Sequence, residues 1–92
     1  MKEYFVVSLI RNGVLGGGIT ADDESVTYHT GKVTVPAKFR RLEMRYGDIE
    51  SASRSGLTVT IRMKDGEEYR FLVFAPGRFC SVLRSAGVEV KN

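Results

Sequence analysis

The sequence predicts a small, mainly β domain that carries one α-helix near its C-terminus. Glycine and acidic turn signals recur about every 8 to 12 residues along most of the chain, a spacing that is typical of a meandering antiparallel sheet. Between these signals apolar and polar residues alternate, as they do in strands with one buried face. Pro76–Ala86 instead repeats its apolar residues at helical spacing.

Composition limits what such a chain can be. Its 92 residues are 42% hydrophobic and 27% charged, which excludes the disordered, collagen-like and coiled-coil classes. No repeat or linker divides the chain, so we expect residues 1–92 to form one domain. The net charge of +3 is too small to indicate polyanion binding by itself. Cys80 has no disulfide partner, and the apolar run Tyr4–Ile10 is shorter than the ~20 residues of a membrane helix, so we expect a cytoplasmic protein.

The first part of the chain predicts short strands joined by turns. Tyr4–Ile10 fits either a strand or a single helical hook, because so brief a run has no decisive periodicity. Val14–Thr20 and Ser25–Thr30 are predicted to form a hairpin across the polar turn Ala21–Glu24. The glycines at positions 16 to 18 suit a sharp bend or the close passage of another backbone.

The middle of the chain predicts a strand with one solvent-facing side. A brief strand Val33–Val35 is expected to stop at Pro36, since proline cannot donate to a strand ladder. Phe39–Tyr46 follows as a strand, and Ile49–Ser53 continues in extended form after a bend. Within Phe39–Tyr46 the apolar face consists of Leu42, Met44 and Tyr46, and the charged face of Arg41, Glu43 and Arg45.

The clearest hairpin joins Leu57–Met63 to Glu67–Phe74. A two-residue loop would set Ile61 opposite Arg70 and so mix core and charge on one face. A three-residue loop at positions 64 to 66, with Gly66 left-handed at a bulge, keeps the apolar side chains together. The predicted register pairs Ile61 with Tyr69, Val59 with Phe71, Leu57 with Val73, Arg62 with Glu68 and Thr60 with Arg70.

This register leaves two apolar side chains, Leu72 and Phe74, on the outer face of the hairpin. An isolated domain would prefer polar groups there, so we expect something to cover them. The favoured cover is the segment Tyr4–Ile10, and the alternative is another copy of the chain. Leu72 and Phe74 are therefore the predicted interface residues.

The C-terminal helix is predicted over Pro76–Ala86, with proline in its first turn and Gly87 as its stop. An isolated helix of this length is marginal in water, so it must form against the sheet. The apolar stripe that packs there consists of Phe79, Val82, Leu83 and Ala86.

Several structural motifs together cover most of the chain: Ile19–Asp22 with Val26–Tyr28, Arg45–Ser51, Val59–Phe71, and Leu83–Gly87 at the end of the helix. In this order they resemble the pleckstrin-homology-like superfamily, in particular its GRAM-type and small bacterial members. The resemblance implies a curved seven-stranded sheet, nearly closed into a barrel and plugged at one end by the C-terminal helix.

One departure from that family concerns phosphate binding. Relatives that bind phosphoinositides grip phosphate with basic residues in the loop that joins the first two strands. Here the corresponding loop is Asp22, Asp23 and Glu24, whose carboxylates would repel phosphate. The resemblance therefore implies no headgroup site at any residue of this chain.

The densest charge feature is a basic strip between positions 32 and 45. It sets five basic residues against Glu43 alone: Lys32, Lys38, Arg40, Arg41 and Arg45. Such a strip is most often the solvated side of a strand, and its functional alternatives are contact with anionic lipid, nucleic acid or an acidic partner. Peripheral binding to the anionic inner face of the membrane ranks second among the functions we expect.

Signals for nucleotide binding or catalysis are weaker. Arg41–Arg45 satisfies the Arg-x-x-x-Arg pattern of PilZ domains, which bind a cyclic dinucleotide, but their second motif is matched only imperfectly by Ser51–Gly56. His29 and Cys80 are remote in sequence, and Cys80 is expected to be a packing residue. We therefore expect no catalytic residue, metal site, cofactor or small-molecule substrate.

Taken together, these patterns favour a non-enzymatic binding or adaptor module whose partner is another protein or a second copy of the chain. RNA and cyclic dinucleotide binding rank last. RNA binding is weakened because Tyr69 and Phe71 are assigned to the core rather than to a stacking platform.

Overall fold

An eight-stranded sheet with a helix packed on its inner face forms the core of the protein. The computed structural model describes residues 2–10, 13–31 and 37–91. The helices are α1 (Ala37–Arg40) and α2 (Pro76–Ser85), and a 3-10 turn spans Tyr46–Asp48. The strands are β1 (Glu3–Ile10), β2 (Val14–Ala21), β3 (Ser25–His29), β4 (Arg41–Arg45), β5 (Ile49–Ser55), β6 (Thr58–Met63), β7 (Glu68–Val73) and β8 (Val90–Lys91).

The predicted mainly β class with a helix near the C-terminus is confirmed. Across the sheet the strand order is β4-β3-β2-β1-β7-β6-β5-β8, and its two edges do not pair to close a barrel. The described residues form eight strands, where the family resemblance implied seven. Strand β8 was not predicted from the sequence, and it pairs in parallel with β5 by setting Val90 opposite Ala52.

The segment that the sequence left open, Tyr4–Ile10, is a strand in the middle of the sheet. It pairs with β2, where Phe5 is opposite Ile19, and with β7, where Val7 is opposite Val73. Its alternate residues Phe5, Val7 and Leu9 are buried. The pairing with β7 is non-local, and the local sequence pattern of Tyr4–Ile10 could not reveal it.

The strand predicted over Phe39–Tyr46 is shorter than expected. Phe39 and Arg40 belong to α1 instead, and the carbonyl oxygen of Arg40 accepts the N–H of Thr30 at 3.1 Å. A four-residue helix is too short to show a helical period in the sequence, so its last residues were assigned to the alternating pattern of the strand that follows. The alternation within β4 is as predicted, with Leu42 and Met44 buried and Arg41, Glu43 and Arg45 exposed. The strand predicted at 33–35 and its stop at Pro36 lie outside the described residues.

The hairpin between β6 and β7 has the predicted register. Ile61 lies opposite Tyr69 and Val59 opposite Phe71. The loop is closed by the N–H of Met63, which donates to the carbonyl oxygen of Glu67 at 2.7 Å. Gly66 has a φ of 96°, the left-handed conformation expected at the bulge.

Aromatic contacts show that the inner face of the sheet is concave. The rings of Tyr28 in β3 and Phe71 in β7 lie 5.6 Å apart, although β2 and β1 separate these strands in the sheet. The ring of Phe79 in α2 meets Phe5 edge-on at 5.1 Å. Helix α2 buries Phe79, Cys80 and Leu83, while Val82 and Ala86 of the predicted stripe are half-buried. In the described part of the chain, neither helix is long and apolar enough to cross a membrane.

Candidate functional site

The outer face of β1 and β7 carries an exposed apolar patch. Because Phe5, Val7 and Leu9 face the core, the intervening residues of β1 face outward. Tyr4 and Val6 are each 54% exposed, and Phe74 is 69% exposed. We call Tyr4, Val6, Leu72 and Phe74 the outer patch.

Strand pairing brings these four side chains together from opposite ends of the sequence. Ser8 lies opposite Leu72, and the same register sets Val6 opposite Phe74. The N–H of Phe74 donates to the carbonyl oxygen of Val6 at 3.2 Å, so the pairing continues beyond the end of β7. Val6 and Phe74 are therefore neighbours on adjacent strands.

The predicted interface residues differ in exposure, since Leu72 is half-buried and Phe74 is exposed. The favoured expectation, that Tyr4–Ile10 covers both, is wrong for Phe74. That segment joins β7 edge to edge, so its outward side chains project beside Leu72 and Phe74 rather than over them. Tyr4 and Val6 extend the apolar surface, and they were missed because only the pairing of β1 with β7 reveals them.

The cross-strand neighbours of the outer patch carry no charge. On β2, Gly18 lies opposite Val6 and Thr20 opposite Tyr4. On β6, Thr58 lies opposite Leu72. The Tyr4 ring lies over Gly18, where a β-carbon would collide with it, and its centroid is 5.9 Å from that of His29. This surface can exclude water from an apolar partner but offers little to a charged one.

The basic strip is divided between two elements. Lys38 and Arg40 lie in α1, and Arg41 and Arg45 lie in β4. Lys32 lies outside the described residues. Of the three strip residues inside the predicted strand Phe39–Tyr46, Arg41 and Arg45 are in β4 and Arg40 is in α1.

Two of the four described basic residues have acidic partners. Lys38 Nζ is 3.4 Å from Glu67 Oε1, and an Nη of Arg45 is 3.6 Å from Glu24 Oε2. The neighbouring Tyr69 side chain and, to a smaller extent, Glu67 raise the pKa of Lys38, so Lys38 is positively charged at neutral pH. Arg40 and Arg41 make no ion pair with a described residue, which leaves two adjacent cations available.

The acidic loop of Asp22, Asp23 and Glu24 joins β2 to β3, so the expectation that it joins the first two strands of the sheet is wrong: Tyr4–Ile10 lies in β1, which precedes β2. Asp22 Oδ1 accepts the N–H groups of Glu24 at 2.8 Å and Ser25 at 2.9 Å, and these bonds lower the pKa of Asp22. A cavity of about 360 Å³ lies between this loop and α2. Its walls carry more acidic than basic groups: Glu3, Asp22 and Asp23 against Arg78. The cavity is unsuited to phosphate.

The single histidine and the single cysteine lie on different sides of the sheet. Cys80 is buried under the inner face, and burial raises the pKa of its thiol. His29 is half-buried on the outer face, with Nε2 3.2 Å from Thr20 Oγ1. The two residues therefore do not form a nucleophile–base pair. No three His, Cys, Asp or Glu side chains of residues 2–10, 13–31 and 37–91 are grouped to hold a metal ion.

Comparison with known proteins gives a fold relationship. No family model matches the chain, and no curated protein matches it. Among solved structures, the fold of this chain is similar to that of the C-terminal domain of an unknown protein from Leishmania infantum, with a TM-score of 0.75 at 10% sequence identity. That match covers 91% of this chain and 80% of the other. At this identity the likeness shows that the two chains share a fold.

Proposed function

We propose that this domain is a non-enzymatic interaction module that associates with a second copy of itself through the outer patch. The observation that carries the proposal is the exposure of Phe74 next to Val6 on adjacent strands. Exposed apolar side chains at neighbouring positions on an open sheet face are typical of surfaces that become buried in a complex.

A second copy suits this surface better than a charged partner. The patch and its directly opposite cross-strand neighbours are uncharged, so two copies of this surface can meet across a two-fold axis without opposing like charges. Stacking two such faces would bury Phe74 and Val6 of both copies without burying an unpaired charge.

The test is the concentration dependence of mass, measured by sedimentation equilibrium. We expect wild-type protein to form dimers as concentration rises, and Phe74→Ser to weaken dimerisation by about tenfold or more, since removing a central aromatic anchor costs about 2 kcal/mol. The matched control is Leu57→Ser. Leu57 is also exposed, at 51%, but it lies in the turn before β6 and outside the patch.

Three results would contradict this proposal. A wild-type protein that stays monomeric across the accessible concentration range rules out self-association. Equal effects of Phe74→Ser and Leu57→Ser would show that general surface hydrophobicity drives association. An unchanged dimer in Phe74→Ser would place the interface elsewhere.

A second candidate function is peripheral binding to anionic lipid through the basic strip. It is supported by the exposed and adjacent Arg40 and Arg41, which lack acidic partners among the described residues. Flotation with phosphatidylserine vesicles tests this function. We expect the wild-type protein to float with the vesicles at low salt and less at high salt, and the double variant Arg40→Glu, Arg41→Glu to lose this binding. Equal retention on neutral vesicles would refute it.

A further inference from the structure

Strand β4 forms one edge of the sheet and leaves half of its backbone groups unpaired by any described strand. The N–H of Tyr46 donates to the carbonyl oxygen of Glu24 at 3.0 Å, and the carbonyl oxygen of Arg40 accepts from Thr30. In an antiparallel ladder, alternate residues turn their N–H and C=O groups toward the same neighbour. The even-numbered residues of this stretch therefore bond to β3. The backbone groups of Arg41, Glu43 and Arg45 point toward the open edge.

A cavity of about 540 Å³ lies along that edge. Leu42, Glu43 and Met44 all line it. Because consecutive side chains of a strand point to opposite faces, a cavity that all three line must follow the strand edge. Its other walls are formed by the 3-10 turn and the β6–β7 hairpin: Asp48, Met63, Lys64, Asp65 and Tyr69. Its volume is within the ~300 to 1,000 Å³ of ligand sites.

The two sides of this edge differ in chemistry. Three apolar residues, Leu42, Met44 and Met63, are among those that line the cavity: Met63 is half-buried, whereas Leu42 and Met44 are buried in the core. On the outer side, Arg41 and Arg45 are exposed on either side of Glu43. The ion pair of Arg45 with Glu24 is solvent-exposed, with both side chains more than half accessible. Exposed pairs of this kind contribute little free energy, so Arg45 can leave Glu24 and pair with an acidic residue of a partner.

We infer that the free edge of β4 binds an acidic, extended segment of a partner protein as an added antiparallel strand. The backbone of the segment bonds to the N–H and C=O groups of Arg41, Glu43 and Arg45. Its acidic side chains lie opposite Arg41 and Arg45, and its apolar side chains enter the cavity opposite Leu42 and Met44. This surface is separate from the outer patch, so the inference does not depend on self-association.

The geometry specifies the bound sequence. Opposite positions 45 to 41, the segment presents an acid, an apolar residue, a base to meet Glu43, a second apolar residue and a second acid. Because period-two alternation fixes which side chains face the cavity, a slip of one residue would place acids among the methionines. Recognition should therefore depend on the order of the residues as well as on their charge.

The probe is a fluorescein-labelled peptide with the core glutamate, leucine, lysine, leucine, glutamate, measured by fluorescence anisotropy at low salt. We expect saturable binding to wild-type protein. A peptide N-methylated at the central lysine keeps every side chain but loses an amide that faces β4, and it should bind about tenfold more weakly or worse. In amide hydrogen exchange, Arg41, Glu43 and Arg45 should gain protection when the unmodified peptide binds.

Protein variants give the matched comparison. Arg41→Glu combined with Arg45→Glu should weaken peptide binding by at least about tenfold, whereas Arg70→Glu should leave it unchanged. Arg70 is likewise an exposed strand arginine, but it lies on β7.

Several results would overturn the inference. Equal affinity for the N-methylated peptide would mean that charge alone attracts it. No saturable binding, or an equal effect of Arg70→Glu, would exclude the edge as a peptide site. Retention on phosphatidylserine vesicles without peptide binding would assign the arginines to lipid instead.

Discussion

The carbonyl oxygen of His29 lies so close to Gly17 that a β-carbon at position 17 would collide with it. The ring of Tyr28 closes the same space, with Cε1 and Oη each 3.0 Å from where that β-carbon would be. The Tyr28 hydroxyl donates to the carbonyl oxygen of Leu15 at 2.9 Å, which holds the ring there. One of the two roles predicted for the glycines at positions 16 to 18 was to let another backbone pass close by. At Gly17 the backbone of β3 does so.

We predict that Gly17→Ala destabilises the fold by about 2 to 3 kcal/mol, because the obstructing atom belongs to the backbone of β3 and cannot move without shifting the strand. The control is Gly16→Ala, since a β-carbon at Gly16 meets nothing within 4 Å. That change should alter stability by less than about 0.5 kcal/mol. Urea unfolding of both variants measures the difference, and equal midpoints would contradict the predicted contact.

The left-handed turn residue gives a second stability prediction. Gly66→Ala should cost about 1 to 2 kcal/mol, because alanine is strained at the φ of 96° that the β6–β7 loop requires. Gly47→Ala is the matched control, since Gly47 is exposed in the 3-10 turn with open space around it and no positive φ. Thermal unfolding of the two variants checks this, and a larger loss for Gly47→Ala would refute it.

The hairpin shows what the sequence could predict. Loop chemistry at Gly66 and the need to keep Val59 and Phe71 on one face are local, and together they gave the correct register. The burial pattern of β4 was local in the same sense, since Leu42 and Met44 alternate with charged residues over the whole strand.

The outer patch shows what the sequence could not predict. Val6 and Phe74 are far apart in the chain, and nothing near either residue encodes their pairing. The pairing follows from β1 lying between β2 and β7, which is a property of the whole sheet. The open edge of β4 is non-local in the same way, because a strand becomes an edge only through the arrangement of all the others.

Because Cys80 is buried, we predict that its thiol reacts slowly in the native protein. Its side chain is enclosed, and burial raises the pKa, so both access and the thiolate fraction are low. A disulfide-exchange reagent should react roughly a hundredfold more slowly with native protein than with protein in urea. The comparison variant is Cys80→Ser with Ser81→Cys, which moves the thiol to the neighbouring, exposed position of α2. Equal native rates at the two positions would show that Cys80 is accessible.

The environment of Tyr46 leads us to predict that the protein becomes less stable to unfolding at alkaline pH. Its hydroxyl donates to the carbonyl oxygen of Asp22 at 2.8 Å, and burial together with the carboxylates of Asp22, Asp23 and Glu3 raises the pKa of Tyr46. Burial also raises the pKa of Tyr28. A raised folded-state pKa means that the folded protein holds the proton more tightly than the unfolded chain. The stabilisation is therefore complete below the unfolded value of about 10 and is lost as the pH rises through the folded-state value.

We expect the free energy of unfolding to be level up to about pH 9.5 with respect to these tyrosines and then to fall. Tyr46→Phe should cost about 1 kcal/mol at neutral pH, since it removes the hydrogen bond, and should make the alkaline fall less steep. The fall should remain in part, because Tyr28 still contributes. Urea titrations at neutral and alkaline pH measure both effects. An alkaline slope equal to that of wild type in Tyr46→Phe would show that the Tyr46 proton is not held by the fold.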